Sequence, residues 1–311
     1  MYNIAILNVY IGKLPNSFPL WLKSCENNET IQFIVLTDDN YYGFIPENVI
    51  IKNITLKEIK IRIESKLGFE VSLENPYKLC DFKPTYGLIF DDILSKYDFW
   101  GYCDLDMLFG DLRKFINNDL LLKYDKLFTK GHLTLYRNNE KVNNSFKLKG
   151  SIANYKKVFT TSLHYGFDEI NGMEIIWDNN NLKQLKNANI ADILLKSFNF
   201  KLRGDNYKKQ IFIWNKGKIY RVINKEIKEE YMYIHYQKRE CLINDNLSEN
   251  FDELDNIIIS PKGFFSEMRF KKTYKVKLCD HIYFYFIKIK NIPKRIKMKI
   301  VREKVYGKLK K

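Results

Sequence analysis

Asp104 and Asp106 flank a single leucine at the end of the apolar run Phe99-Trp100-Gly101-Tyr102-Cys103, and Gly110-Asp111-Leu112 follows at once. A strand places residues i and i+2 on the same face, so both acids are expected to point at one place. Converging carboxylates repel each other unless a cation lies between them. Their oxygens suit a hard divalent ion, Mg²⁺ or Mn²⁺, which commonly bridges protein to substrate phosphates. The competing reading is a solvated turn after a strand, where Asp is common. Gly12 and Gly43 form no phosphate loop, and neither a Gly-x-Gly-x-x-Gly nor a Walker motif is present.

The elements that must carry these acids are legible as short apolar runs. Ile4 to Val9, Ile31 to Thr37 and Val49 to Ile51 read as buried strands, with a short helix at Phe18 to Cys25. Thr55-Leu56-Lys57-Glu58 has the pattern of a capping box. It opens a helix with Ile59, Ile63 and Leu67 on one face, ended by Gly68. Pro84 suits the first turn of a further helix with an apolar stripe of Tyr86, Ile89, Phe90 and Ile93. Lys126 to Arg137 forms one or two strands, Phe167 to Gly172 a loop opening Met173 to Trp177, and Tyr231 to Tyr236 a β-prone run. Strands alternating with helices imply an α/β layer fold with a mainly parallel sheet. Ligands of such sheets bind beyond the carboxyl ends of the strands, where Val9-Tyr10, Thr37-Asp38-Asp39 and Asp104 to Asp106 fall together.

The blocks Lys78 to Gly87, Tyr97 to Asp106 and Phe109 to Leu112 resemble bacterial glycosyltransferases of the GT-A fold, of the kind associated with capsule and lipopolysaccharide synthesis. More distantly the chain, over roughly residues 1 to 240, is similar to the glycogenin-like, or family 8, enzymes. The resemblance implies a GT-A-like mixed sheet flanked by helices, and transfer of a hexose from a nucleotide diphosphate sugar, UDP-sugar foremost, to a surface polysaccharide or lipid-linked glycan. It also implies a third metal ligand and a diphosphate-binding lysine in a C-terminal His-x-x-Gly-x-x-Lys motif. The counterpart here is His235-Tyr236-Gln237-Lys238-Arg239, which lacks the glycine and has shorter spacing.

On that footing Asp106 is the main metal ligand, Asp104 a second ligand or a contact to ribose, and His235 a nitrogen ligand, which Mn²⁺ accepts better than Mg²⁺ does. Packing in an aromatic strand is the other reading of His235. Lys238 is placed for phosphate. Asn8, Tyr10 and Asp39 join the nucleotide-sugar set, against simple loop packing. Lys78, Asp81 and Lys83 are candidates for sugar hydroxyls and phosphate, against surface charge at a helix start. Asp168 and Glu169 are the acids to hold the acceptor or serve as base, against a solvated loop pair.

Five cysteines, at 25, 80, 103, 241 and 279, form no Cys-x-x-Cys pair, which excludes a disulfide framework or a structural zinc site and fits a reducing cytosol. The segment Met1 to Ala5 enters a strand without a basic leader, so no signal peptide is expected. The apolar run Ile282 to Ile287 is far too short to span a membrane. Residues 261–311 hold 17 Lys/Arg against 3 Asp/Glu, leaving 35 basic against 34 acidic residues in 1–260. That asymmetry divides the chain into a catalytic domain, 1–260, and a basic, aromatic segment, 261–311, for an anionic surface. An enzyme with a lipid-linked acceptor would use it as an arm at the inner face of the cytoplasmic membrane. The rivals are a nucleic-acid-binding arm, disfavoured here, and a catalytically silent protein that only docks on membranes.

Overall fold

Ile4-Ala5-Ile6-Leu7 is apolar at four successive positions because it lies in the middle of a sheet covered on both faces. A computed structural model of the chain describes residues 1–194, 200–207, 210–224, 226–237, 242–243, 255–260 and 263–266. Strand β1 (Ile4–Tyr10) pairs in parallel with β2 (Ile31–Thr37) on one side, and β2 pairs in parallel with β3 (Val49–Asn53). On its other side β1 pairs in parallel with β4 (Phe99–Cys103). Alternate side chains feed two cores. Ala5 and Leu7 join Ile34, Leu36, Trp100 and Tyr102 on one face, while Ile4 and Ile6 join Phe33, Val35 and Phe99 on the other. Helix α1 (Phe18–Glu26) covers the second face with Phe18, Trp21, Leu22 and Cys25. Helix α2 (Leu56–Leu67) sets Ile59 and Ile63 against the first. Its capping box is formed in both directions, Thr55 Oγ1 accepting from the Glu58 amide and Glu58 Oε2 accepting from the Thr55 amide, and Gly68 closes it at φ 75°.

Pro84 stands in the first turn of a 3-10 segment, Lys83–Thr85, that leads directly into the short helix Tyr86–Ile89. The helical run begins earlier, at Pro76, and continues in short turns to Leu94. A proline cannot donate to the preceding turn, so the run is broken there, although Tyr86, Ile89, Phe90 and Leu94 are still buried in one core.

After β5 (Met107–Phe109), β6 (Lys126–Leu127) and β7 (Leu133–Arg137), the first sheet gains antiparallel partners: β7 on β4, then β6 on β7. With β8 (Gln184–Leu185) parallel to β6, the sheet order is β3-β2-β1-β4-β7-β6-β8. This is a mixed α/β sheet flanked by helices, the architecture expected from the sequence. Between β7 and β8 the loop at Phe167 leads through a π-helical turn, Ile170–Glu174, into the helix Ile175–Asn179. Strand β9 (Ala191–Asp192) is followed by β10 (Gln210–Asn215), β11 (Lys218–Ile223), β12 (Glu226–Tyr231), β13 (Tyr233–His235), β14 (Leu242–Ile243), β15 (Asn256–Ser260) and β16 (Gly263–Phe265). Six of these form a second sheet in the order β12-β11-β10-β15-β16-β14, and the third sheet is β5-β13-β9. The β15–β16 hairpin carries the second sheet past residue 260, with Ser260 opposite Gly263. Lys238, Arg239 and the basic residues 267–311 lie outside the described residues.

Candidate active site

From β1 the chain runs outward through β2 and β3, then returns to the opposite side of β1 as β4. The carboxyl ends of β1 and β4 therefore meet at a switch point, where parallel sheets open a crevice. A cleft of about 510 Å³ lies there, walled by Asn8, Tyr10, Tyr77, Lys83, Asp104 and Asp106 among others.

The two aspartates are not in the strand. β4 ends at Cys103, and Asp104 to Asp106 form the connection to β5. They converge because the turn is pinned. Leu105 is buried, the Asp104 amide donates to His132 O at 3.1 Å, and Asp106 O accepts from the Tyr236 amide at 3.1 Å. His235 arrives on β13, which pairs with β5 so that His235 lies opposite Met107. Its Nε2 lies 3.5 Å from Asp106 Oδ1. One ligand atom from each of Asp104, Asp106 and His235 falls within 4.8 Å of the others. Burial opposes charge on His235, but hydrogen bonds to Asp106 and Asp192 outweigh it and push the imidazole up to about 9.

Lys83 pairs with Asp104. Its Nζ donates to Asp104 Oδ1 at 2.7 Å and to Gly131 O at 2.7 Å, and lies 3.6 Å from Asp168 Oδ2. Burial again opposes the charge, but Asp104 and the other acids prevail and hold Lys83 protonated. Asp168 is buried, and burial pushes its carboxyl up to about 8 despite the lysine. Gly131 lets the chains meet here, since a Cβ would come within 2.5 Å of Asp168 Oδ2 and 2.9 Å of Glu169 Oε1. Glu169 itself is exposed.

The other expected residues divide. Asn8 and Tyr10 line the cleft, and Asn8 Nδ2 donates to Cys103 O at 2.5 Å, tying the two strand ends together. Burial, then Asp106 and Asp39, raise the Tyr10 phenol above its usual range. Asp39 does not line the cleft; it accepts from the Leu14 amide at 2.8 Å and shapes the loop that does. Lys78 and Asp81 also face away from it. They pair at 2.8 Å in the interior, Lys78 donating to the Val158 and Leu163 carbonyls while Asp81 accepts from the Tyr165 and Phe167 amides. This network ties the helical run to the segment that delivers Asp168.

Two residues of the site went unread in the sequence. Asp192 accepts from His235 Nδ1 at 3.0 Å. His132 stacks on His235 with ring centroids 4.3 Å apart, and burial and His235 push its imidazole well below the usual range. A lone acid inside Ile190-Ala191-Asp192-Ile193-Leu194 was the only available sign of the first.

No curated protein matches this chain. Among solved structures, the galactosyltransferase LgtC in complex with donor and acceptor sugar analogues aligns over 61% of this chain and 75% of its own, at 10% identity and a TM-score of 0.36. Residues 6–268, from β1 to just beyond the β15–β16 hairpin, match the model of a family of unknown function, DUF6625, and the chain belongs to that family.

Proposed function

We propose that the cleft binds a nucleotide diphosphate sugar, with UDP as the nucleotide, and that the protein is a GT-A-like glycosyltransferase moving a hexose to a surface polysaccharide or lipid-linked glycan. The observation that carries this reading is the convergence of Asp104 and Asp106, which wall a switch-point cleft, with His235 to within 4.8 Å. Two carboxylates and an imidazole make a donor set suited to Mn²⁺, and acceptable to Mg²⁺ through the oxygens. A divalent ion held there supplies charge neutralisation for a diphosphate leaving group.

The remaining steps belong to side chains. Asn8 and Tyr10, at the end of β1, flank the space for the base. Lys83 brings a fixed positive charge beside Asp104, and Lys238 is the further candidate for phosphate. With its carboxyl pushed up to about 8, Asp168 is largely protonated at neutral pH and can donate a hydrogen bond to a sugar hydroxyl. Exposed Glu169, next to it, is the acid that can meet an acceptor hydroxyl. The basic segment 261–311 is our candidate for attachment to the inner face of the cytoplasmic membrane. No helix among the described residues is long and apolar enough to cross a membrane.

Calorimetric titration with UDP and Mn²⁺ tests the proposal. Asp106→Asn is expected to abolish Mn²⁺-dependent binding with the thermal melt unchanged, and Asp104→Asn to weaken it less. Unaltered affinity in Asp106→Asn would remove the metal site from the reading.

A further inference from the structure

A histidine serves a cation only through a nitrogen that carries a lone pair, and its two ring nitrogens are distinguished by what holds the other one. Free imidazole side chains prefer the proton on Nε2, the nitrogen that here faces Asp106. The protein must therefore impose the opposite tautomer if His235 is to present Nε2. What lies behind the ring is a buried carboxylate. β9 and β13 run parallel with His235 in register with Asp192, so the two side chains are brought together by the ladder itself.

Asp192 is itself over-determined. Its Oδ1 accepts from His235 Nδ1 at 3.0 Å and from Gln237 Nε2 at 2.8 Å. Its Oδ2 faces Arg203 Nε at 3.2 Å and Lys130 Nζ at 4.0 Å. The side chain is 5% exposed and is not among the residues that wall the cleft. The ring has little freedom to turn away. His132 lies over it at 4.3 Å and 24°, and His132 is in turn fixed through Nδ1 to the Tyr233 hydroxyl at 2.7 Å.

We infer that Asp192 is the positioning residue of the cation site: by accepting from His235 Nδ1 it fixes the tautomer and ring plane that aim Nε2 at Asp106 and Asp104, with Gln237 steadying the carboxylate. This rests on the cation-site reading of Asp104, Asp106 and His235 and adds to it a residue that never touches the ion. Carboxylates behind ligating histidines commonly change metal affinity by roughly 10- to 100-fold.

Mn²⁺ titration of the full chain, followed by the electron paramagnetic resonance signal of the free ion, tests this without any turnover. Asp192→Asn keeps the shape of the side chain but lets its amide face Nδ1, so the lone pair is no longer forced onto Nε2. We expect Mn²⁺ affinity to fall roughly 10- to 100-fold and the ¹⁴N modulation of the bound ion's spin echo to shrink. In a His235→Ala background, Asp192→Asn is expected to add nothing further. Gln237→Met, which leaves the carboxylate in place, should show a smaller loss in the same direction and covers the case in which Asp192→Asn does not fold. Wild-type Mn²⁺ affinity in both Asp192→Asn and Gln237→Met overturns the inference. So does an equal loss from Asp192→Asn with and without His235, which marks a merely structural role. If Asp106→Asn and His235→Ala themselves leave Mn²⁺ binding unchanged, it is the cation site that fails, and the two failures are told apart by those variants.

Discussion

Asp168 shows how one side chain's surroundings set its chemistry. Its carboxyl lies beside Lys83, yet burial raises it to about 8. The folded-state value is above the unfolded one, so the folded chain holds this proton between about pH 4 and pH 8 while the unfolded chain has lost it. The stability that the bound proton confers is complete below about pH 4 and is lost as pH rises through about 8. Asp168→Asn removes that dependence. Thermal melts should show the variant gaining on the wild type between pH 5 and pH 8, after which the difference stays level. A pH-independent difference would mean that the Lys83 contact keeps Asp168 ionised throughout. A sequence shows none of this, because Lys83, Gly131 and Asp168 are separated by tens of residues and meet only through the fold. The pair Asp104 and Asp106 could be read, since two acids beside a strand end need no distant partner to be noticed.

At the scale of elements, the three-stranded sheet β5-β13-β9 does the positioning. β13 alternates between two cores: Tyr233 enters the main-sheet core, Ile234 the core under the second sheet, and His235 returns to the side of Tyr233 and His132. A one-residue slip would turn His235 away from Asp106, and Ile234, fully buried between Leu108 and Ala191, opposes it. Ile234→Val is expected to cost about 1 kcal/mol and Ile234→Ala about 2–5 kcal/mol in urea unfolding, with Mn²⁺ affinity lowered only in the second. Wild-type stability in Ile234→Ala would deny the strand this role. The aromatic run Tyr231 to Tyr236 announced a strand in the sequence, but not its neighbours. β9 is two residues long, too short for a periodic signal, so the pairing of Asp192 with His235 was hidden. By contrast β1, β2 and α2 were legible because continuous apolar runs and a capping box are local signals. The reading of Asp104 to Asp106 as strand overran by three residues: β4 stops at Cys103, and a pinned turn, not strand alternation, brings the acids together.

Across the whole molecule, charge is divided unevenly. Residues 1–260 are nearly neutral, and the sequence matching the family ends at 268. Beyond that point lie 16 Lys/Arg against 2 Asp/Glu, together with the apolar run from Ile282 to Ile287. Each basic residue close to an anionic leaflet contributes about 1 kcal/mol, so this many charges suffice to hold a protein at a membrane without a spanning helix. The two contributions separate by their response to salt. Electrostatic attraction fades as the Debye length shortens to about 3 Å at 1 M, whereas insertion of aromatic and aliphatic side chains persists. Vesicles containing anionic phospholipid should therefore pellet the full chain at low salt and release most of it at high salt, leaving a fraction held by the run at 282–287. A chain ending at residue 268 keeps the β15–β16 hairpin, and with it every described strand. It should bind UDP and Mn²⁺ like the full chain while failing to sediment with those vesicles. Undiminished vesicle binding by the shorter chain would locate the attachment in the body. Loss of its cooperative melt would instead show that residues beyond 268 belong to the core, and the arm would have to be sought among the lysines and arginines from 288 onward.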